Sequence, residues 1–208
     1  MTEYLEIEQK FDVDEGFVRP DFGGLAGVTA AGPVTFRLAA TYFDTADQRL
    51  AGSKITLRRR TGGNDQGWHL KLPAGQDTRR ELRAPLGERG DDTVPEELAA
   101  QVAAVTAGRP LTPIAQLDTE RTVLTLTGSD GTVVAEIADD VVTARRLSGS
   151  GSLAGAPAPL RWREVEVEVP VAAPDLQRAA AGLLRAAGAR PAGHGSKLAR
   201  VLSEAIEG

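Results

Sequence analysis

The charged residues of this chain fall into sets spaced two apart. Glu6, Glu8 and Lys10 form one set; Arg58 and Arg60, His69 and Lys71, and Arg79, Glu81 and Arg83 form others, and Glu164, Glu166 and Glu168 close the series. Successive side chains of a strand point to opposite faces, so each set shares one face of a sheet. The same alternation groups Glu136, Ala138 and Asp140, with Asp139 left as the alternative acidic residue of that strand. Turned outward, such faces make a solvated surface over an apolar core, the common antiparallel arrangement. Turned inward, carboxylates, guanidinium and ammonium groups share a confined space where unpaired charge is costly. Clustered carboxylates suit a hard divalent cation such as Mg²⁺ or Mn²⁺, and clustered Arg and Lys suit a polyanion. A metal-bound phosphate chain meets both needs.

Strands are needed to hold these faces, and alternation predicts them at 3–11, 34–44, 54–61, 66–73, 78–84, 114–127, 132–146 and 160–169. Eight strands with mostly short gaps rich in Gly, Pro, Asn and Asp predict a closed antiparallel barrel, the β part of an α+β fold. Helices are expected at 95–107, before Gly108, at 174–187, before Gly188, and at 196–206, opened by Ser196. Residues 14–27 are a candidate for a further short helix. The Ser-, Gly-, Ala- and Pro-rich stretch 148–159 reads as a flexible loop between two strands, so residues 1–208 are expected to form one domain.

Composition narrows the chemistry. With 208 residues, 41% of them hydrophobic, the chain can fill a core, which argues against disorder. Its 24 basic and 29 acidic residues leave a net charge of −5, which disfavours nucleic acid and anionic membranes as partners; an anion must be held locally. No cysteine and only two histidines exclude thiolate zinc sites, cysteine nucleophiles and His-rich metal sites, so any metal takes oxygen ligands. The first residues lack the basic and apolar regions of a signal peptide and no apolar run reaches membrane-spanning length, so a soluble cytoplasmic protein is expected. Only four of the 24 basic residues are Lys, at positions 10, 54, 71 and 197.

Glu6-Ile7-Glu8-Gln9-Lys10 reads as ExExK. It is followed in order by Tyr42-Phe43-Asp44-Thr45, Leu57-Arg58-Arg59-Arg60, Trp68-His69-Leu70-Lys71-Leu72-Pro73, Arg79-Arg80-Glu81, Arg121, Glu136-Ile137-Ala138-Asp139-Asp140, Glu164-Val165-Glu166-Val167-Glu168 and Ser196-Lys197-Leu198. ExExK alone is weak, but the ordered set resembles the CYTH domains, or triphosphate tunnel metalloenzymes, almost to the end of the chain. Lys10, Lys71 and Lys197 lie in these motifs, whereas Lys54 is expected at the surface.

The resemblance implies an eight-stranded tunnel that binds a triphosphate with Mg²⁺ or Mn²⁺. Carried over position by position, it assigns Glu6, Glu8, Glu136, Asp140, Glu164 and Glu166 to metal, with Glu168 a further acidic candidate. It assigns Lys10, Arg58, Arg60, Lys71, Arg79, Arg121 and Lys197 to phosphate. Glu166 and Glu168 would orient the attacking water, and Lys71 with Arg58 and Arg60 would stabilise charge on the phosphates. The implied reaction is hydrolysis of a triphosphate, foremost inorganic triphosphate to pyrophosphate and phosphate. Thiamine triphosphatases and adenylate cyclases of the family share the motifs, but nine aromatic residues leave little material to clamp an organic ring. A non-catalytic module for triphosphate or polyphosphate is the competing class, and family members occur as monomers and as homodimers.

Other residues have plainer readings. Arg59 and Arg80 should face outward, Asp44 and Thr45 should shape a strand end, and Trp68 and Trp162 should serve as packing anchors. His69 shares a face with Lys71, yet both it and His194 are expected in structural or surface roles.

Overall fold

The computed structural model describes residues 1–75, 78–87, 93–147, 158–169 and 173–204, apart from the side chains of Leu5, Glu6 and Glu204. Its strands are β1 (Thr2–Val13), a short β2 (Val28–Ala30), β3 (Val34–Asp44), β4 (Thr56–Thr61), β5 (Gly67–Pro73), β6 (Thr78–Ala84), β7 (Thr112–Gly128), β8 (Val133–Arg146), β9 (Leu160–Val169) and a two-residue β10 (Arg190–Pro191). The hydrogen-bonded order is β1–β6–β5–β4–β3–β7–β8–β9 and back to β1, a closed antiparallel barrel of eight strands. The first strand makes the closure, lying against β6 over residues 2–7 and against β9 over residues 7–13. Where β6 stops, β10 takes over that edge at Phe11 and Asp12.

Among the described residues five short or medium helices accompany the barrel: α1 (Arg49–Gly52), α2 (Glu96–Gln101), α3 (Ala103–Thr106), α4 (Pro174–Ala186) and α5 (Lys197–Glu204). They settle which strand face points inward, because two of the three apolar clusters lie outside the barrel. Phe11, Val13, Ile137, Val165 and Val167 pack under Ala180, Ala181 and Leu184 of α4, joined by Phe22. On the other side Phe43, Leu57, Trp68, Leu70 and Leu82 pack under Leu50 of α1, Leu98 of α2 and Val102. With the apolar face covered by helices, the alternate charged residues point into the lumen. The third cluster fills part of that lumen: Leu198 and Val201 of α5 insert against Tyr42, Leu117, Val142, Ala144 and Trp162. No helix among the described residues is long and apolar enough to cross a membrane.

Several expectations change. Residues 14–27 form turns, not a helix; the Phe17 amide donates to the Asp14 carbonyl at 3.0 Å and the Leu25 amide to that of Phe22 at 3.1 Å. Pro20 and four glycines make that stretch too poor in helix formers. The helix expected at 95–107 is broken at Val102, whose φ of −113° and ψ of 7° leave the helical region. Arg59 and Arg80 lie on the outer face but are half-buried. Loop 148–159 lies outside the described residues except for 158 and 159, and α5 is described only to Glu204.

If α5 is part of the barrel's packing and not a surface addition, Leu198, 1% exposed, is a core residue. Leu198→Ala should therefore cost about 2–5 kcal/mol in urea unfolding. A loss within about 0.5 kcal/mol, as for a surface substitution, would contradict the inserted position.

Candidate active site in the barrel lumen

Barrel closure opposes residues of like charge. Glu8 lies directly across from Glu168, Asp140 from Glu164 and Glu136 from Glu168, while Lys10 faces Glu166 and Arg121 faces Asp140. Like charges at directly opposed positions destabilise a sheet, so these pairs require cations among them. Lys197, at the start of α5, supplies one. Its Nζ lies 2.8 Å from Asp140 Oδ2, 2.7 Å from Glu164 Oε1 and 2.6 Å from Glu166 Oε1. Arg121 donates from Nε to Asp140 Oδ1 at 2.8 Å, and from one Nη at 2.6 Å both to Asp140 Oδ2 and to Glu166 Oε2. The Lys10 ammonium contacts Glu8 and Glu166, and Lys71 Nζ lies 3.5 Å from Glu8 Oε2.

These contacts set the ionisation of the site. Burial would raise the Glu166 carboxyl, but Lys10, Lys197 and Arg121 outweigh it and hold Glu166 well below the usual carboxylate range. Burial would likewise discharge Lys197, yet Asp140, Glu164 and Glu166 raise it above an ordinary lysine. For Lys10 burial prevails and its affinity for a proton falls. Partial desolvation in the barrel wall and the neighbouring Glu168 raise Glu136, although the residue keeps an exposed surface.

The opposite wall is basic. Arg58 donates to the Tyr42 hydroxyl at 3.3 Å. Arg79 donates to the Gly195 carbonyl at 2.8 Å and to that of Lys54 at 3.2 Å, tying β6 to the approach to α5. The free space of the lumen beside these residues has a volume of about 40 Å³, with opposite charges drawn together across it. Its wall carries six cations, Lys10, Arg58, Lys71, Arg79, Arg121 and Lys197, against three carboxylates, Glu8, Glu166 and Glu168. It opens beside Glu8, Lys10, Thr56 and Arg79 into a cleft of about 690 Å³. Counting also Asp140, which contacts Lys197 and Arg121, and Glu164, which contacts Lys197, the described residues leave one positive charge in excess behind that mouth, which favours an anionic ligand.

A scan against family models matches the CYTH domain over residues 4–200. The chain belongs to the CYTH family. Two curated relatives, the uncharacterized proteins Rv2226 and MT2285 from two strains of Mycobacterium tuberculosis, are each 46% identical over 99% of this chain. The chain spans only 41% of the length of each. Among solved structures, a putative adenylate cyclase from Bacillus halodurans matches with a TM-score of 0.58 at 16% identity, covering 96% of this chain and 98% of that one. This CYTH chain thus shares the tunnel barrel with a protein of very different sequence.

Of the residues the motifs single out, Glu8, Lys10, Arg58, Lys71, Arg79, Arg121, Asp140, Glu164, Glu166, Glu168 and Lys197 come together around the lumen. Glu6 has its backbone in β1 opposite Arg79, but its side chain lies outside the described residues. Two residues stand apart. Arg60 does not line the cavity but is 3% exposed and paired with Asp65. Glu136 shares the inward face yet is exposed, and it joins neither carboxylate group with metal-ligand spacing. Asp139 points outward, held by Arg163 at 2.8 and 2.9 Å.

The structure adds residues to the site. Trp162 Nε1 donates to Glu164 Oε2 at 2.6 Å and so orients that carboxylate as well as packing. Glu81, fully buried, accepts from Arg83 at 2.6 Å and lies 2.7 Å from His69 Nδ1, while His69 Nε2 lies 2.8 Å from the Asp65 carbonyl. Both were findable, since alternation already puts Trp162 on the face of Glu164 and Glu81 on that of Arg79. Asp44 accepts from the amides of Thr45, Leu50 and Ala51 at 2.7–2.9 Å and so fixes α1. His194 is half-buried and lies 3.4 Å from the Ser203 hydroxyl.

Two carboxylate groups have oxygens within 4.8 Å of one another: Glu8, Glu166 and Glu168, and Asp140, Glu164 and Glu166. The first fits a hard divalent ion, because Glu168 has no ion-pair partner among the described residues and its neighbour across the strands is another carboxylate.

A pH test follows from Glu166. Its folded-state pKa lies below its unfolded value, so its stabilising contribution is complete above about pH 4.5 and is lost as the pH falls toward the folded value. Glu166→Gln should be less stable than wild type at pH 7, and the gap should narrow below about pH 4.5. Thermal melts at stepped pH check this; a gap independent of pH would show that Glu166 is not held ionised by its neighbours.

Proposed function

We propose that the chain is a divalent-metal-dependent hydrolase of a triphosphate, with inorganic triphosphate, converted to pyrophosphate and phosphate, as the foremost substrate. The observation that carries this reading is the pairing, in one lumen, of a carboxylate group with metal-ligand spacing and a wall with a cationic excess. Membership of the CYTH family supports it. Among the described residues Tyr42 is the one aromatic that lines the cavity, and Trp162, deeper in the lumen, is packed under α5 and bonded to Glu164, which leaves little to clamp a base or thiazolium ring.

In this reading Glu8, Glu166 and Glu168 hold Mg²⁺ or Mn²⁺. The bound ion neutralises phosphate charge and polarises oxygen. Arg58, Lys71, Arg79 and Arg121 take the phosphate oxygens. Lys71 and Arg121 rest on carboxylates in the structure, so binding there exchanges carboxylate partners for phosphate partners. The exchange leaves few charges unpaired at any stage, which keeps ligand entry cheap despite burial. In this reading the half-buried Glu168 accepts a proton from the attacking water, and Arg58 and Lys71 stabilise charge on the departing phosphate. In this reading residues 1–208 form one domain, which is supported by the single closed barrel to which all eight long strands belong.

Phosphate release from inorganic triphosphate, ATP and thiamine triphosphate, each with Mg²⁺, Mn²⁺ or EDTA, tests the proposal. Turnover of inorganic triphosphate should require metal and fall by roughly 10²-fold or more in Lys71→Ala and in Glu8→Gln. Preference for an organic triphosphate would replace the substrate but not the site. Tight binding without turnover would identify a triphosphate- or polyphosphate-binding module, and the absence of both would overturn the reading.

A further inference from the structure

We infer that Lys197 acts as a built-in cation that occupies the second carboxylate group, so that the lumen takes one divalent ion and not two. Asp140, Glu164 and Glu166 have the spacing of a metal site, yet the Lys197 ammonium lies 2.6–2.8 Å from an oxygen of each. That position, touching all three ligands at once, is where a bound cation would sit. The three negative charges are balanced by protein: Lys197 contacts all three residues, Arg121 contacts Asp140 and Glu166, and Lys10 contacts Glu166. A divalent ion entering there would leave buried positive charge in excess, at a high desolvation cost.

The ammonium is also held in place by the fold. Lys197 is 7% exposed, and α5 behind it is anchored by Leu198 and Val201 in the lumen and by Arg200, which donates to Asp12 at 2.6 Å and stacks 5.0 Å from the Trp162 ring. Trp162 in turn bonds Glu164. In the Glu8, Glu166 and Glu168 group Lys10 contacts Glu8 and Glu166 and Lys71 lies 3.5 Å from Glu8, but Glu168 has no ion-pair partner among the described residues, so no one cation touches all three carboxylates, and the group lies against the cavity. The chain therefore keeps one carboxylate group for metal and fills the other with a side chain delivered by α5.

This inference rests on the proposed metal-dependent function, and the experiment separates the two. The number of Mn²⁺ ions bound per chain is counted from the free-ion signal in electron paramagnetic resonance, with no phosphate present. The wild-type count tests whether the metal site of the proposed function fills without phosphate; the change on altering Lys197 tests the inference. Wild type should bind one ion, Lys197→Gln two and Lys197→Arg one, and Glu164→Gln in the Lys197→Gln background should return the count to one. An equal count in wild type and folded Lys197→Gln overturns the inference. Two ions in wild type overturn it whether or not that variant folds. A wild-type count of zero overturns the resident single ion inferred here without removing metal from the proposed function, while a gain of one ion in Lys197→Gln still upholds the role of Lys197.

Discussion

Everything in this barrel depends on charge neutralisation in a confined space. Small barrels ordinarily fill their interiors with apolar side chains. Here the apolar faces of the strands are turned outward and covered by α1, α2 and α4, and the interior is given to carboxylates, lysines and arginines. Such an interior folds only if each buried charge meets an opposite one, and the register provides this by setting Lys10 against Glu166 and Arg121 against Asp140. Where the register opposes like charges, as at Glu8 and Glu168, it creates a demand for an added cation. Structural constraint and candidate chemistry are then the same fact seen twice.

The final helix completes that balance. Without α5, Asp140 and Glu164 would lose the Lys197 ammonium, and the apolar residues at that end of the barrel would lose Leu198 and Val201. The helix also leaves a mouth between itself and the β4–β6 side, where Arg79 bonds the Gly195 carbonyl. One element thus closes part of the barrel, supplies a cation and borders the entrance. Its contacts are long-range in sequence, which ties the integrity of the site to the folding of the whole chain.

Much of this was legible in the sequence because the side-chain period of a strand is simple. Alternation placed Glu8 with Lys10, Arg58 with Arg60, and Asp140 rather than Asp139 on the inner face, and the ordered motifs carried the family. What alternation gives is a face and not a depth. Arg60 shares the face of Arg58 but lies where Asp65 reaches it, and Glu136 shares that of Asp140 but stands exposed. Depth is set by strand tilt and by which loops fold over the ends, and neither leaves a periodic trace. The position of α5 was hidden for a similar reason: an apolar helix face shows that something is buried, not that it is buried inside a polar lumen. Residues 14–27 misled in the other direction, since a short helix was a candidate there while Pro20 and the glycines permit only turns.

The central claim is that the lumen is completed by a metal ion and a triphosphate together, and calorimetry or thermal melting with inorganic triphosphate, Mg²⁺ and both tests it most directly. A ligand that binds only the folded state raises the melting temperature. The account predicts a larger rise with both ligands than the sum of the rises with each, and loss of that excess in Arg58→Ala. No rise with the pair, or an equal rise in wild type and Arg58→Ala, would contradict it.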